Sequence, residues 1–252
     1  LKRMFQLAVQ RGQLEKNPIQ YLKQPKVSRK KVHVYTDQQC EKLIEAAALF
    51  DSTYNRAMPW ELVIRVALCT AMRRGEILNL TWRDIDFENM TVDVEPKADT
   101  DQSWPWLIKD TDRQTVPLTE TVVDMLTQWQ AEQPEGYPYV FVAPDRYVHI
   151  QKRRKAGKWT LEHGKCPVNN FYQQFKIIRG RAGVKMGNFH DLRKTCISRW
   201  LNSGLEPHEV TEMAGHSCFE TTWKFYVSIR KNVLNKAREI SSFCARLARA
   251  PK

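Results

Sequence analysis

The 252-residue chain lacks several things, and each absence narrows what it does. No apolar run reaches the roughly 18 residues that a membrane-spanning helix needs, so no membrane partner is expected. No secretory signal pattern stands at the front. Its six cysteines, at 40, 69, 166, 196, 218 and 244, include no C-x-x-C pair, which removes the usual spacing of structural zinc ligands. A chain of this length does not need disulfide staples, and free thiols in a reducing cytoplasm are the expectation. No acidic cluster looks like a metal-binding site, and there are no internal repeats or low-complexity tracts. Leu1 falls inside a helical pattern, so the chain is expected to lack its natural beginning.

Positive charge is abundant. Lys and Arg number 40 against 28 Asp and Glu, a net charge of +12. Such an excess points to a polyanionic partner more than to any fold. A soluble basic protein of no special function is the bland alternative. The length allows one good core, or one large and one small domain.

Read in order, the chain is mainly helical. Leu1 to Gln10 has an apolar face of Leu1, Phe5 and Ala8, stopped by Gly12, and Asn17-Pro18 marks a turn. Lys23 to Lys31 is lysine-rich around Pro25, a linker able to lie along phosphates or simply a solvated connector. Thr36 with Gln39 reads as a capping box, ahead of Cys40, Leu43, Ile44 and Ala47 at helical spacing. Pro59 suits N1 of the next helix, with Leu62, Val63, Val66 and Ala67 inward. Met90 to Glu95 and Gln114 to Pro117 read as short strands around a hairpin excursion with Trp104 and Trp106. Thr119 to Glu132 is a helix, and Tyr139 to Ala143 a short strand-like apolar run. Gln151 to Lys158, with Lys152, Arg153, Arg154 and Lys155, is either a DNA-contacting loop or an exposed charged excursion. Val168, Phe171, Phe175 and Ile178 form another helical face before Gly183. Ser228 to Ala248 reads as a last helix.

The most informative stretch runs from Asn188 to Tyr226. His190 and Arg193, three apart, share a face in the first turn of a helix, where the dipole and free N–H groups favour an anion. Ile197, Trp200 and Leu201 continue an apolar stripe, Gly204 stops the helix and Pro207 opens the next. That helix should run to about Gly215, leaving His216 on a turn before a short helix with Tyr226. Cations, imidazoles and a phenol together suit one task, holding a phosphodiester while a tyrosine attacks it.

His-x-x-Arg, then Gly-His, a Thr-Thr pair and a tyrosine resemble the tyrosine recombinase (phage integrase) family. Upstream, Thr70-Ala71-Met72-Arg73-Arg74-Gly75-Glu76, followed by Leu78, Trp82 and Asp84-Ile85-Asp86, resembles that family's first arginine box. The resemblance places Arg73 on the first catalytic arginine and Glu76 on the carboxylate that helps position it. Arg74 reads as a surface arginine. Ala71 stands where the family usually has glycine, which a helical backbone would tolerate. The family's strand-borne lysine falls on Lys109, eight residues before Val116-Pro117-Leu118, with Lys97 as its rival. The family's tyrosine most often lies nine residues after the Gly-His histidine. That place is Phe225 here, and Tyr226 is ten after.

The resemblance implies an α+β, mainly α-helical catalytic-domain fold with a small antiparallel sheet of about three strands. It divides the chain into a remnant of a helical core-binding domain (1–26), a basic linker (27–35), a catalytic domain (36–235) and a C-terminal helix or tail (236–252). It implies a site-specific recombinase that cuts and rejoins double-stranded DNA through a 3′-phosphotyrosine, as a tetramer in the full-length protein, in the cytoplasm of a bacterium or phage host at the nucleoid. Arg73 and Arg193 would clamp the non-bridging oxygens, because guanidinium is always charged and binds bidentately. His216 would donate a further hydrogen bond, Tyr226 would be the nucleophile, His190 its base and Lys109 the acid for the leaving 5′-oxygen. Neither metal nor nucleotide cofactor is expected, since the phosphotyrosine conserves the bond energy. The other readings are a type IB topoisomerase, a DNA-binding module without catalysis, and a zinc enzyme using His163 and Cys166.

Overall fold

A computed structural model describes residues 1–23, 32–53, 58–108, 113–164 and 166–229. The chain divides into two compact units, Leu1–Lys31 and Val32–Lys252. The first holds helix α1 (Lys2–Gln10), ended by Gly12 at φ 69°, and Asn17 caps the following turn through its side chain.

The second unit opens with α2 (Asp37–Thr53). The expected capping box is present: Gln39 N donates to Thr36 Oγ1 at 3.2 Å and Thr36 N to Gln39 Oε1 at 3.0 Å. Helix α3 (Trp60–Thr70) follows, with Pro59 at the N-cap, one place before the N1 position read from the sequence. A tight turn leads to the short α4 (Arg74–Leu78). Strands β1 (Ile85–Asp86), β2 (Thr91–Val94) and β3 (Gln114–Pro117) make an antiparallel sheet in the order β1-β2-β3. Val92 pairs with Val116 and Val94 with Gln114, so the valines of β2 turn one face inward, as period-two alternation requires.

Helices α5 (Glu120–Ala131), α6 (Pro144–Lys155), α7 (Leu161–Gly164), α8 (Phe171–Arg181), α9 (His190–Asn202), α10 (Pro207–Met213) and α11 (Phe219–Ile229) complete the described chain. Gly204, at φ 103°, and Pro207 separate α9 from α10 as expected. Among the described residues no helix is long and apolar enough to cross a membrane. The described cysteines are free.

Two expectations about elements need correction. Of Tyr139–Ala143 only Tyr139 pairs as in a strand, in an isolated antiparallel bridge with Thr81. Tyr139–Val142 is otherwise buried coil, held by Trp82 N on Pro138 O and Val140 N on Leu80 O, with Tyr139 stacked on Trp104 at 3.9 Å. The basic run 151–158 is not a loop, because its first half is the last part of α6, which Pro144 starts. A run of charges hides helical periodicity, since it offers no apolar stripe to count.

Two apolar clusters result. The larger one fuses α2, α3, α5, α8 and the sheet. In it Trp60, Phe171 and Phe189 pack with ring centroids 4.8 Å apart for Trp60–Phe171 and for Phe171–Phe189. Phe189 is the residue before α9, so this aromatic group sets where α9 begins. The smaller cluster joins Ala71, Cys196, Ile197, Leu201, Val210, Ala214 and Phe225 beneath the ends of α3, α9, α10 and α11.

Candidate active site

Segments distant in sequence meet at one buried carboxylate. Glu76 is 2% exposed. Its Oε2 accepts from the backbone N of Arg73 at 2.6 Å, and its Oε1 from Arg73 Nη1 at 2.8 Å. Arg193 Nη1, arriving from α9, lies 3.8 Å from Oε2. Gln114 Nε2, from the first residue of β3, donates to the same oxygen at 3.4 Å. A buried carboxylate is costly unless charges and donors surround it. Two guanidiniums meet that need here, and in return Glu76 fixes their spacing.

The two arginines also grip the turn between α10 and α11. Arg73 Nη2 donates to Gly215 O at 2.8 Å, and Arg193 Nη2 donates to Ala214 O. Arg193 Nη1 donates to Ala71 O at 2.6 Å. Arg73 keeps 19% of its side chain exposed and Arg193 3%. Gly215 has φ 56°, which favours glycine, and a Cβ there would lie 2.1 Å from Gln114 Oε1, so any side chain would make the Gln114 amide shift.

Ala71 differs from expectation. Its backbone is left-handed, φ 54° and ψ 20°, at the C-cap of α3, not helical. The chain must leave α3 there so that Arg73 can take the N-cap of α4, with extended φ −72° and ψ 152°. Glycine suits that conformation without strain, and alanine has to accept it.

His190 is the first residue of α9 and is open to solvent. Its imidazole is held neutral, the pKa lowered to about 4, first by desolvation and then by the charges of Arg193 and Lys194, against the pull of Asp191. Desolvation of the part of the ring packed against the protein is the larger cause, and the neighbouring cations add to it.

The start of α9 is clasped from the front of the unit. Asp191, 2% exposed, accepts from Asn188 N at 2.8 Å and Lys194 Nζ at 2.6 Å, and lies 3.4 Å from His33 Nδ1. Tyr35 N donates to Thr195 Oγ1 at 2.9 Å and its hydroxyl to Asn188 O at 3.0 Å. Sequence reasoning missed Tyr35, His33 and Gln114.

His216 follows Gly215 on the turn. Its Nδ1 is 2.8 Å from Oγ1 of the fully buried Thr222, and its ring stacks on Phe225 at 6.5 Å and 14°. Thr222, one of the Thr-Thr pair, therefore orients the imidazole. Phe225 is 9% exposed within the smaller cluster. Tyr226 comes next on α11, about 100° further round the helix axis. Its side chain lies outside what is described, as does all of Lys109.

Lys97, the rival lysine, is 9% exposed and paired with the buried Asp84 carboxylate, whose other oxygen caps Thr81. A cavity of about 680 Å³ adjoins this pair, but Arg73, Glu76, His190, Arg193 and His216 do not line it. In the basic run, Arg153 contacts Lys158 O and His163 Nε2, and Arg154 bonds Gln151, Asp99 and Thr100. Lys152 and Lys155 are exposed. His163 is engaged by Thr160 and Arg153, Cys166 Sγ donates to Val168 O at 3.3 Å, and among the described residues no group of three or more His, Cys, Asp or Glu is placed to hold a metal ion.

The fold, a mainly helical shell around a small sheet, matches known proteins. The chain belongs to the Phage integrase family, whose model matches residues 33–232. It is 27% identical over 251 residues to a tyrosine recombinase XerC-like protein of Caldanaerobacter subterraneus subsp. tengcongensis, covering 91% of this chain and 60% of that one. It is 23% identical to the ICEBs1 integrase of Bacillus subtilis, covering 92% of this chain and 60% of that protein. The chain thus spans about 60% of the length of these curated relatives. In fold it resembles the Tn1549 transposon integrase in complex with transposon right end DNA (TM-score 0.62, 19% identity, 94% of this chain and 76% of that one). It also resembles the XerA recombinase (TM-score 0.58, 18% identity, 93% and 73%).

Proposed function

We propose that the chain is the catalytic part of a site-specific DNA recombinase that cuts and rejoins duplex DNA through a 3′-phosphotyrosine. The observation that carries this reading is the convergence of Arg73 and Arg193 on Glu76, with His216 one residue beyond a carbonyl that Arg73 holds. Paired guanidiniums at a fixed spacing suit the two non-bridging oxygens of a phosphodiester, whose charge grows during attack. Phosphate oxygens would compete for N–H groups that in the free chain serve the carbonyls of Ala71, Ala214 and Gly215.

In this reading the Tyr226 oxygen attacks phosphorus and its proton passes to neutral His190. The bond to the 5′-oxygen breaks, and Lys109 protonates that oxygen. Attack by the 5′-hydroxyl of another strand then releases Tyr226. The chemistry is isoenergetic in phosphodiester bonds and needs no nucleotide. Double-stranded DNA is the partner, through a tetramer of the full-length protein acting on nucleoid DNA. Residues 1–26, 27–35, 36–235 and 236–252 serve as core-binding remnant, linker, catalytic domain and tail. Lys152 and Lys155 supply backbone contacts at the end of α6.

The test is covalent trapping on a nicked suicide duplex taken from the flanks of the source element. Wild type should form a protein–DNA adduct resistant to denaturant, and Tyr226→Phe none. DNA binding without any adduct would make the chain a binding module instead.

A further inference from the structure

Arg74 follows Arg73 directly, yet the two are used differently. Arg74 makes no hydrogen bond or ion pair with a described residue. Its guanidinium lies over the ring of Tyr172, 4.5 Å from the centroid, and 5.9 Å from that of Phe171. The platform is firmly based. Phe171 is 2% exposed inside the aromatic group with Trp60 and Phe189, and Tyr172 meets it edge-on at 5.9 Å and 88°. Tyr172 itself is 61% exposed. Lys176, one turn further along α8, is exposed too and lies on the same side of the helix.

The contact holds the guanidinium carbon over the Tyr172 ring at the surface, and no described residue takes up its N–H groups. A flexible arginine loses rotamer freedom on binding an anion. A stacked one has lost most of it beforehand. We infer that Arg74, held on Tyr172, binds a DNA backbone phosphate beside the one that Arg73 engages. Arg74 is the next residue along the chain from Arg73, so the anion proposed for it is a phosphate adjacent on the same strand. Tyr172 acts as a positioning residue for Arg74, and Lys176 extends the basic edge. The inference rests on the DNA reading above and adds a register-fixing contact to it. Backbone contacts of this kind carry no sequence information. The bland alternative is that Arg74 only covers the aromatic platform.

The experiment measures binding of this chain to mixed-sequence and single-sequence duplexes by fluorescence anisotropy across a salt series. For Arg74→Gln, the slope of log affinity against log salt should become shallower by about 0.9, the value of one lost phosphate contact. The loss of affinity should be equal across sequences. Arg74→Lys should keep the slope but bind more weakly, having charge without the stacked plane. Tyr172→Phe should match wild type, and Tyr172→Ala should weaken binding at an unchanged slope. An unchanged slope in Arg74→Gln, with only a lowered melting temperature, would overturn the inference in favour of packing. A sequence-dependent loss would overturn it in favour of a base contact. Wild type that does not bind DNA would sink the DNA reading and this inference together, whereas salt-dependent wild-type binding with an unaltered Arg74→Gln sinks this one alone.

Discussion

Arg193 reaches within 3.8 Å of Glu76, a residue that already holds Arg73 through both its backbone and its guanidinium. One carboxylate therefore sets the distance between two cations from different helices. Removing it leaves two positive charges facing each other in a buried place. Glu76→Ala should destabilise the fold by about 3–5 kcal/mol, the range for breaking a buried ion pair. Urea unfolding checks this. A loss below about 1 kcal/mol would mean that the carbonyls of Ala71, Ala214 and Gly215 hold the arginines without help.

Gly215 should resist substitution. In Gly215→Ala the new methyl meets Gln114 Oε1 at 2.1 Å, on a backbone already at φ 56°. Strain and overpacking together should cost about 2–4 kcal/mol. Adding Gln114→Ala should recover the overpacking part and leave the strain. Thermal melts of the single and double variants separate the two, and additive losses would show that the side chains do not meet.

Ala71→Gly should be close to neutral. Relief of a left-handed alanine gains about 1–2 kcal/mol. Loss of a fully buried methyl costs about 0.8 kcal/mol, and a freer unfolded chain costs about 0.4–1 kcal/mol more. The melting midpoint should move by no more than the equivalent of about 1 kcal/mol. A larger change in either direction would show that one of these terms has been misjudged.

The position of the nucleophile can be tested by exchange. Phe225→Tyr combined with Tyr226→Phe puts the phenol at the usual family spacing, but at a position packed in the smaller cluster against His216. No covalent adduct should form. An adduct from the exchanged protein would mean that α11 shifts register on DNA.

His190 should stay neutral well into the acid range. Its folded pKa, lowered to about 4, lies below the usual 6.5. Between those values the unfolded chain binds more protons than the folded one, so this group makes the fold less stable as pH falls from about 6.5 to 4. Titration of the His190 ring by NMR should give a midpoint well under 6.5. A midpoint near 6.5 or above would mean that neither desolvation nor the charges of Arg193 and Lys194 act on the ring. The rate of adduct formation should likewise show no loss from His190 between pH 8 and 6.

What could be read from sequence was local. Arg73 and Glu76 lie three apart, and one turn of chain brings them together. His190 and Arg193 do the same on α9. Gly204 and Pro207 punctuate α9 and α10 through their own backbone preferences. Ala71 gave no hint of its left-handed backbone, because alanine is at home in a helix and only the family's glycine marks the spot. Gln114 and Tyr35 were not legible for another reason. Each acquires its role from partners far along the chain, Glu76 for one and Asn188 with Thr195 for the other. Gly215 could have been a clue to Gln114, since a glycine before a functional histidine leaves room for something.

The clasp of residues 33–35 on α9 has a mechanical meaning. Tension on the chain ahead of Val34 would be delivered through Tyr35 to Asn188 and Thr195, at either side of His190. Arg193, two residues before Thr195 on the same helix, shares that anchorage with His190, whereas Arg73 is fixed to Glu76 and Gly215. The entry of the polypeptide into this unit is thus a handle on the α9 side of the site, apart from the Arg73 side.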